Sequence, residues 1–141
     1  MFNRMDTVNL GSNGLTTEQI TKGLGGIQKY NPEHVVIMAG TNDAALPGPI
    51  DEPGLRRSWR LVLSDPRVIV TIAPPTRFPE MNVKLLRINT IVKEEAMSAG
   101  RQIVELPELR GADGLLPSRF TEDGVHPLPQ AYSYWIQRLP F

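Results

Sequence analysis

The sequence predicts an α/β fold, a three-layer α/β/α sandwich built around a parallel sheet. Short apolar runs rich in β-branched residues alternate along the 141-residue chain with longer amphipathic segments. The two central runs are almost continuously apolar, as strands are when helices cover both faces of a parallel sheet. The length suits a single domain over residues 1–141, because a chain of this size buries one core rather than two.

The elements alternate regularly along the chain. Four runs are predicted to be strands, and they are Thr7–Leu10, Val35–Ala39, Val68–Ala73 and Gln102–Leu106. Four segments have helical periodicity: Thr17–Lys29, a second around Trp59, a third from Met81 that ends at Gly100, and a last one beginning near Pro129. Strands and helices of these lengths form right-handed β-α-β units, so the strands are expected to be parallel.

Composition excludes several classes of function. Fifteen basic and fifteen acidic residues balance, and no basic patch points to nucleic acid as a partner. The absence of cysteine excludes disulfides, thiolate metal sites and a cysteine nucleophile, and it leaves the cellular compartment open. No apolar run is long enough to span a bilayer. A nucleotide-binding domain is disfavoured because no phosphate-binding glycine motif follows a strand.

Polar loops follow the predicted strands. In a parallel sheet, the loops that leave the carboxyl ends of the strands line the ligand crevice. The stretches "GSNG", "GTND" and "APPTRFPE" all have this position. Within "GTND", Asn42 suits either an Asx turn or a functional amide, and Asp43 is expected to cap a helix or stabilise the turn.

A second polar motif, "TEDGVHP", precedes the last helix. Asp123 and His126 lie three residues apart around a glycine. A carboxylate that accepts a hydrogen bond from one imidazole nitrogen leaves the other nitrogen free to act as a general base. The motif alone is equally compatible with a turn at Asp123 followed by a surface histidine.

Three motifs together resemble a known family. In chain order, "NLGSNGLTT", "GTND" and "DGVHP" resemble blocks II, III and V of the SGNH hydrolase superfamily, the GDSL esterases and lipases. The resemblance covers Asn9 to Leu139. It implies a flavodoxin-like parallel sheet and serine-esterase-type hydrolysis of small acyl esters through an acyl-enzyme, with deacetylation of carbohydrate as one form of it. No metal or organic cofactor is implied.

The resemblance also assigns roles to residues. The backbone N–H of Gly14 and the side-chain amide of Asn42 would stabilise the oxyanion, Asp123 would orient His126, and His126 would act as the base. Neutral donors of this kind stabilise the charge that develops on an ester carbonyl oxygen. A glycine at position 14 is expected because a Cβ could obstruct the approach of the substrate.

The family's first block, a strand followed by Gly-Asp-Ser, is not found in the sequence, so the first strand and the nucleophile are expected to be missing. Three explanations remain open: an N-terminally incomplete hydrolase, the use of Ser12 as a surrogate nucleophile, or a non-catalytic binding module. Of the six serines, only Ser12 follows a predicted strand and lies between glycines. The neighbours of a missing strand would expose unpaired backbone groups, which predicts low stability or a homo-oligomer through unpaired sheet edges.

Overall fold

The computed structural model describes residues 7–12 and 14–141. Its first helix, α1, spans Thr17–Gly23 and begins with a capping box between Thr16 and Gln19. A 3₁₀ helix over Leu24–Tyr30 continues it. The segment predicted as one helix over Thr17–Lys29 is therefore α-helical in its first half and 3₁₀-helical in its second half. Gly25 and Gly26 lie at this change, and adjacent glycines favour the α-helix poorly.

Three parallel strands form the sheet. They are β1 (Val35–Met38), β2 (Val68–Thr71) and β3 (Ile103–Val104), arranged in the order β1-β2-β3. Met38 lies opposite Thr71 in the first pairing, and Thr71 lies opposite Val104 in the second. Because the strands are parallel, their carboxyl ends meet at one edge of the sheet.

Four more α-helices follow α1 along the described chain. They are α2 (Thr41–Ala45), α3 (Glu52–Leu63), α4 (Pro79–Ser98) and α5 (Pro129–Arg138). Helices α3, α4 and α5 occupy the segments in which the sequence predicts helices. Helix α2 is not predicted from the sequence, because its five residues are too few to show a helical period.

Buried side chains cover both faces of the sheet. On one face, alternate residues of β2 pack against α3 and α4, with Trp59, Leu85 and Ile88 at most 1% exposed. On the other face, Ile69 packs with Trp135 of α5, whose indole N–H donates to Thr71 Oγ1 at 2.8 Å. This arrangement confirms the predicted three-layer α/β fold.

The prediction of a first strand over Thr7–Leu10 is wrong. Thr7–Leu10 has no regular structure, and Val8 and Leu10 are each 54% exposed. A strand is stable only when a neighbour accepts its backbone hydrogen bonds, and no described strand lies beside this segment.

Strand β1 lies at the edge of the sheet. The N–H of Val35 donates to Arg67 O next to β2, so the backbone groups of Val36 and Met38 point away from β2. Within residues 7–12 and 14–141, no second strand pairs with this side of β1. None of the helices in the same residues is both long and apolar enough to cross a membrane.

Candidate active site

Asp123 and His126 lie in a closed loop before α5. The two ends of the loop are joined by an antiparallel bridge between Thr121 and Pro127 and by the Leu128 N–H, which donates to Phe120 O at 2.7 Å. These contacts hold the seven residues between the ends in a compact turn. The sequence spacing therefore produces a fixed local structure.

Within this loop, the carboxylate of Asp123 contacts the imidazole of His126. Asp123 Oδ2 lies 2.5 Å from His126 Nδ1, and Oδ1 accepts the backbone N–H groups of Val125 and His126, each at 2.8 Å. The His126 backbone N–H, the His126 ring and the Val125 N–H together hold the pKa of Asp123 well below its usual range. The carboxylate is therefore ionised at neutral pH and directed at one ring nitrogen.

The imidazole itself remains accessible. The side chain of His126 is 60% exposed, and that of Asp123 is 54% exposed. Since Nδ1 faces the carboxylate, Nε2 is the nitrogen available to a substrate or a nucleophile. This is the orientation that a general base needs.

The loop after β2 supports this turn. The backbone N–H of Arg77 donates to Gly124 O at 2.8 Å, and the Arg77 guanidinium donates to Leu116 O at 2.8 Å. The ring of Phe78 lies against Gly124. The Asp123–His126 pair is thus fixed at the carboxyl end of β2. Only their position after a predicted strand marks Arg77 and Phe78 in the sequence.

Asn42 lies at the carboxyl end of the neighbouring strand, β1. It belongs to the first turn of α2, which begins after Gly40, where a Cβ would approach Ile88 Cγ2 to 2.9 Å. The Asn42 amide donates from Nδ2 to Leu15 O at 3.0 Å. Its second amide hydrogen has no acceptor among the described residues.

Asp43, next to it, has a structural role. Its Oδ2 accepts both the backbone N–H and the hydroxyl of Thr17, at 2.9 and 2.8 Å. Thr17 is the first residue of α1, so the carboxylate caps that helix from a distant part of the chain. The structure agrees with the expected capping role.

Gly14 lies just before α1, one residue from the Leu15 carbonyl that binds Asn42. Its φ is +79°, in the left-handed region, and a Cβ built on it would meet no atom within 4 Å. The backbone conformation, rather than crowding within the chain, is therefore what favours glycine here. Asn13, the preceding residue in the sequence, lies outside the described residues.

The four predicted site residues form two pairs on one edge of the sheet. Asn42 is linked to the turn of Gly14 through Leu15, and His126 is linked to Asp123. Strands β1 and β2 are adjacent, and paired strands lie about 5 Å apart. No hydrogen bond among the described residues joins one pair to the other.

None of the six serines contacts His126. Ser64 and Ser133 donate to carbonyls one turn back in or beside their helices, and Ser58 is buried. Ser12 is exposed in the turn before α1. Its hydroxyl forms no hydrogen bond with the imidazole.

A groove of about 250 Å³ runs along the first three turns of α4. Pro75 and Pro79 form one end of it, so it borders the loop that supports the Asp123–His126 pair. Its walls are mostly apolar, and its polar side chains are Asn82, Asn89, Arg110 and Asp113. Asn89 Oδ1 is buried without a partner in the described part of the chain.

A three-layer α/β domain that carries an Asp–His pair and a glycine-rich turn at the carboxyl edge of its sheet is typical of hydrolases. A family model described as "GDSL-like Lipase/Acylhydrolase family" matches residues 2–134. The chain belongs to this family, which confirms the resemblance inferred from its motifs.

Solved structures of the same kind share the fold. A GDSL-like lipase from Bacteroides thetaiotaomicron is 26% identical, with a TM-score of 0.70 over 89% of this chain and 69% of that one. An acetyl xylan esterase from Geobacillus stearothermophilus is 21% identical, with a TM-score of 0.72 over 93% and 69%. An α/β hydrolase from the metagenome of Lake Arreo, Spain, is 18% identical, with a TM-score of 0.73 over 91% and 67%. The comparison with curated proteins finds no match.

Proposed function

We propose that this chain takes part in the hydrolysis of acyl esters at the edge formed by the carboxyl ends of β1 and β2. His126 acts as the general base, Asp123 orients it, and the amide of Asn42 with the backbone N–H of Gly14 stabilises the oxyanion. Membership of the lipase and acylhydrolase family supports this class of reaction. No cofactor takes part in the proposal.

The observation that carries the proposal is the 2.5 Å contact between Asp123 Oδ2 and His126 Nδ1. An ionised carboxylate fixes the tautomer in which Nδ1 carries the hydrogen, and Nε2 can then accept a proton. In the first step, a serine oxygen attacks the ester carbonyl while His126 takes the serine proton, and negative charge develops on the carbonyl oxygen. In the second step His126 returns that proton to the leaving alcohol, and water later hydrolyses the acyl-enzyme by the same route.

The second hydrogen of the Asn42 amide, which has no acceptor among the described residues, is available for the oxyanion. One amide hydrogen is already used by Leu15 O, which fixes the side chain in place. A donor held in advance stabilises the developing charge without reorganisation during the reaction. The backbone N–H of Gly14, whose turn is linked to Asn42 through Leu15 O, is the second donor of the proposal.

For the substrate, we propose an acetylated carbohydrate. The groove along α4 borders the loop after β2 that supports the Asp123–His126 pair, and its apolar walls carry the polar side chains of Arg110 and Asp113. Neither charge forms an ion pair within the described residues, so both can bind hydroxyl groups. A sugar ring presents C–H surface and hydroxyls together, which matches such a groove. The acetyl xylan esterase of similar fold is consistent with this substrate class.

Hydrolysis of p-nitrophenyl acetate tests the reaction. We expect measurable turnover that His126→Ala abolishes, because the only base in the proposed site is then lost. His34→Ala is the matched control, since His34 precedes β1 at the opposite edge of the sheet and stacks on Phe141. Equal activity of the chain and the His126→Ala variant would exclude His126 as the base.

A fluorophosphonate probe identifies the nucleophile. The probe labels an activated serine covalently, and peptide mass spectrometry locates it. Label on Ser12 that is lost in Ser12→Ala would make Ser12 the nucleophile. The absence of both label and turnover would favour the alternative function, a binding module of the same fold, to which the lack of a serine hydroxyl at His126 also points.

A further inference from the structure

Thr121 begins the loop that carries the Asp123–His126 pair and is 9% exposed. Its hydroxyl accepts the backbone N–H of Gly124 at 2.9 Å and donates to Asp123 Oδ1 at 3.3 Å. One hydroxyl therefore links the backbone of the turn to the carboxylate that orients the imidazole. We propose that Thr121 is a positioning residue for the acid–base pair, an inference that rests on the proposed function.

The two oxygens of Asp123 explain why this contact matters. Oδ2 is used by the imidazole, while Oδ1 accepts two backbone N–H groups and the Thr121 hydroxyl. Because these three donors all bind Oδ1, they determine the orientation of the carboxylate plane. That plane sets the direction from which Oδ2 meets the His126 ring. The carboxylate is 54% exposed and has little packing to hold it, so these hydrogen bonds set its orientation.

A hydroxyl is needed because the Gly124 N–H is buried. This donor has no acceptor other than Thr121 Oγ1 among the described residues, and a buried donor without an acceptor destabilises the conformation that buries it. Loss of the hydroxyl would therefore loosen the turn between Asp123 and His126. Valine has nearly the shape of threonine without the oxygen, and serine keeps the oxygen without the methyl group.

The kinetic test compares Thr121→Val with Thr121→Ser on p-nitrophenyl acetate. Misplacement of a base costs up to about a hundredfold in rate, and we expect Thr121→Val to lower kcat about tenfold with KM nearly unchanged. Thr121→Ser should restore most of the rate. Thr90→Val is the matched control, because the hydrogen bond of the Thr90 hydroxyl is an exposed one, to Leu86 O within α4. Full activity of Thr121→Val, or an equal loss in Thr121→Ser, would overturn the proposal.

Amide hydrogen exchange tests the same contact without catalysis. In Thr121→Val, the N–H groups of Gly124, Val125 and His126 should exchange faster, while those of β2 keep their protection. Unchanged exchange at these three amides would overturn the positioning role even if the chain has no esterase activity. Faster exchange in a chain without turnover would support the positioning role and count against the proposed function alone.

Discussion

Gly124 gives a direct test of how the turn that carries Asp123 and His126 is built. Its φ is +85°, and a Cβ at this position would lie 3.0 Å from Phe78 Cε2 and 3.1 Å from Phe78 Cζ. The left-handed conformation costs alanine about 1–2 kcal/mol. Moving the half-exposed Phe78 ring off its preferred rotamer adds about 0.5–1.5 kcal/mol. Gly124→Ala should therefore destabilise the chain by about 1.5–3.5 kcal/mol.

Gly114→Ala separates the two contributions. Gly114 has a φ of +80°, but the nearest atom to its Cβ position is Arg110 Nη1 at 3.9 Å, so only the backbone cost applies. By circular dichroism, Gly124→Ala should melt about 2–6 °C below Gly114→Ala, since 1 kcal/mol shifts the melting temperature of a domain of this size by about 3–4 °C. The added contact is at the turn that carries His126, so ester turnover should fall about 10- to 100-fold in Gly124→Ala.

The double variant Gly124→Ala, Phe78→Ala completes the comparison. Without the Phe78 ring, alanine at position 124 should lower the free energy of unfolding no more than alanine at position 114 does. For this comparison, Phe78→Ala is the parent of the double variant. Equal melting temperatures for Gly124→Ala and Gly114→Ala, together with full turnover in both, would refute the reasoning.

Four further predictions follow from the site, the charges and the sheet edge. Asn42→Ala should lower kcat about 100- to 1000-fold, because the amide proposed to bind the oxyanion is lost. An unchanged kcat would show that Asn42 does not stabilise the oxyanion. Because the folded-state pKa of Asp123 is lowered, its carboxylate stabilises the fold above the ordinary value of 3.8, and that contribution is lost as the pH falls below it. The difference in melting temperature between the chain and Asp123→Asn should accordingly shrink as the pH is lowered through that window. The side chain of Glu95 is 7% exposed and lies between two arginines, whereas that of Glu94 is 50% exposed. In urea denaturation, Glu95→Gln should lower the free energy of unfolding by about 1–2 kcal/mol and Glu94→Gln by about 0–0.5 kcal/mol. We propose self-association through the side of β1 that pairs with no strand among the described residues. Light scattering should detect it and Val36→Pro should reduce it, because proline removes only an N–H on that side; a monodisperse monomer with a cooperative melt would contradict it.

The sequence predicts the central layers well because their signal is local. The runs around β1 and β2 are nearly continuous in apolar residues, and Leu85 and Ile88 recur at helical spacing in α4. Such patterns need no knowledge of the rest of the chain. The strand predicted at Thr7–Leu10 fails for the opposite reason, because a strand depends on a partner that a local pattern does not reveal.

For the candidate site, the sequence identifies chemical groups and the structure adds their contacts. The Asp123–His126 pairing follows from a spacing of three residues. The contact of Asp43 with Thr17 joins residues 26 positions apart, and that of Arg77 with Gly124 joins residues 47 positions apart. Neither pairing has a periodic or compositional signature, so neither could be predicted from one sequence.

The carboxylate of Asp43 on the first turn of α1 has a consequence for how the site can change. Together with the bond from Asn42 to Leu15, it joins α1, α2 and the turn of Gly14 into one unit. The acid–base loop belongs to a different unit, anchored on the chain after β2 through Arg77. A substitution in α1 or α2 can therefore move the Asn42 amide, the proposed oxyanion donor, and leave Asp123 and His126 where they are. In the proposed reaction, the binding of the carbonyl oxygen and the transfer of the proton are thus separately adjustable.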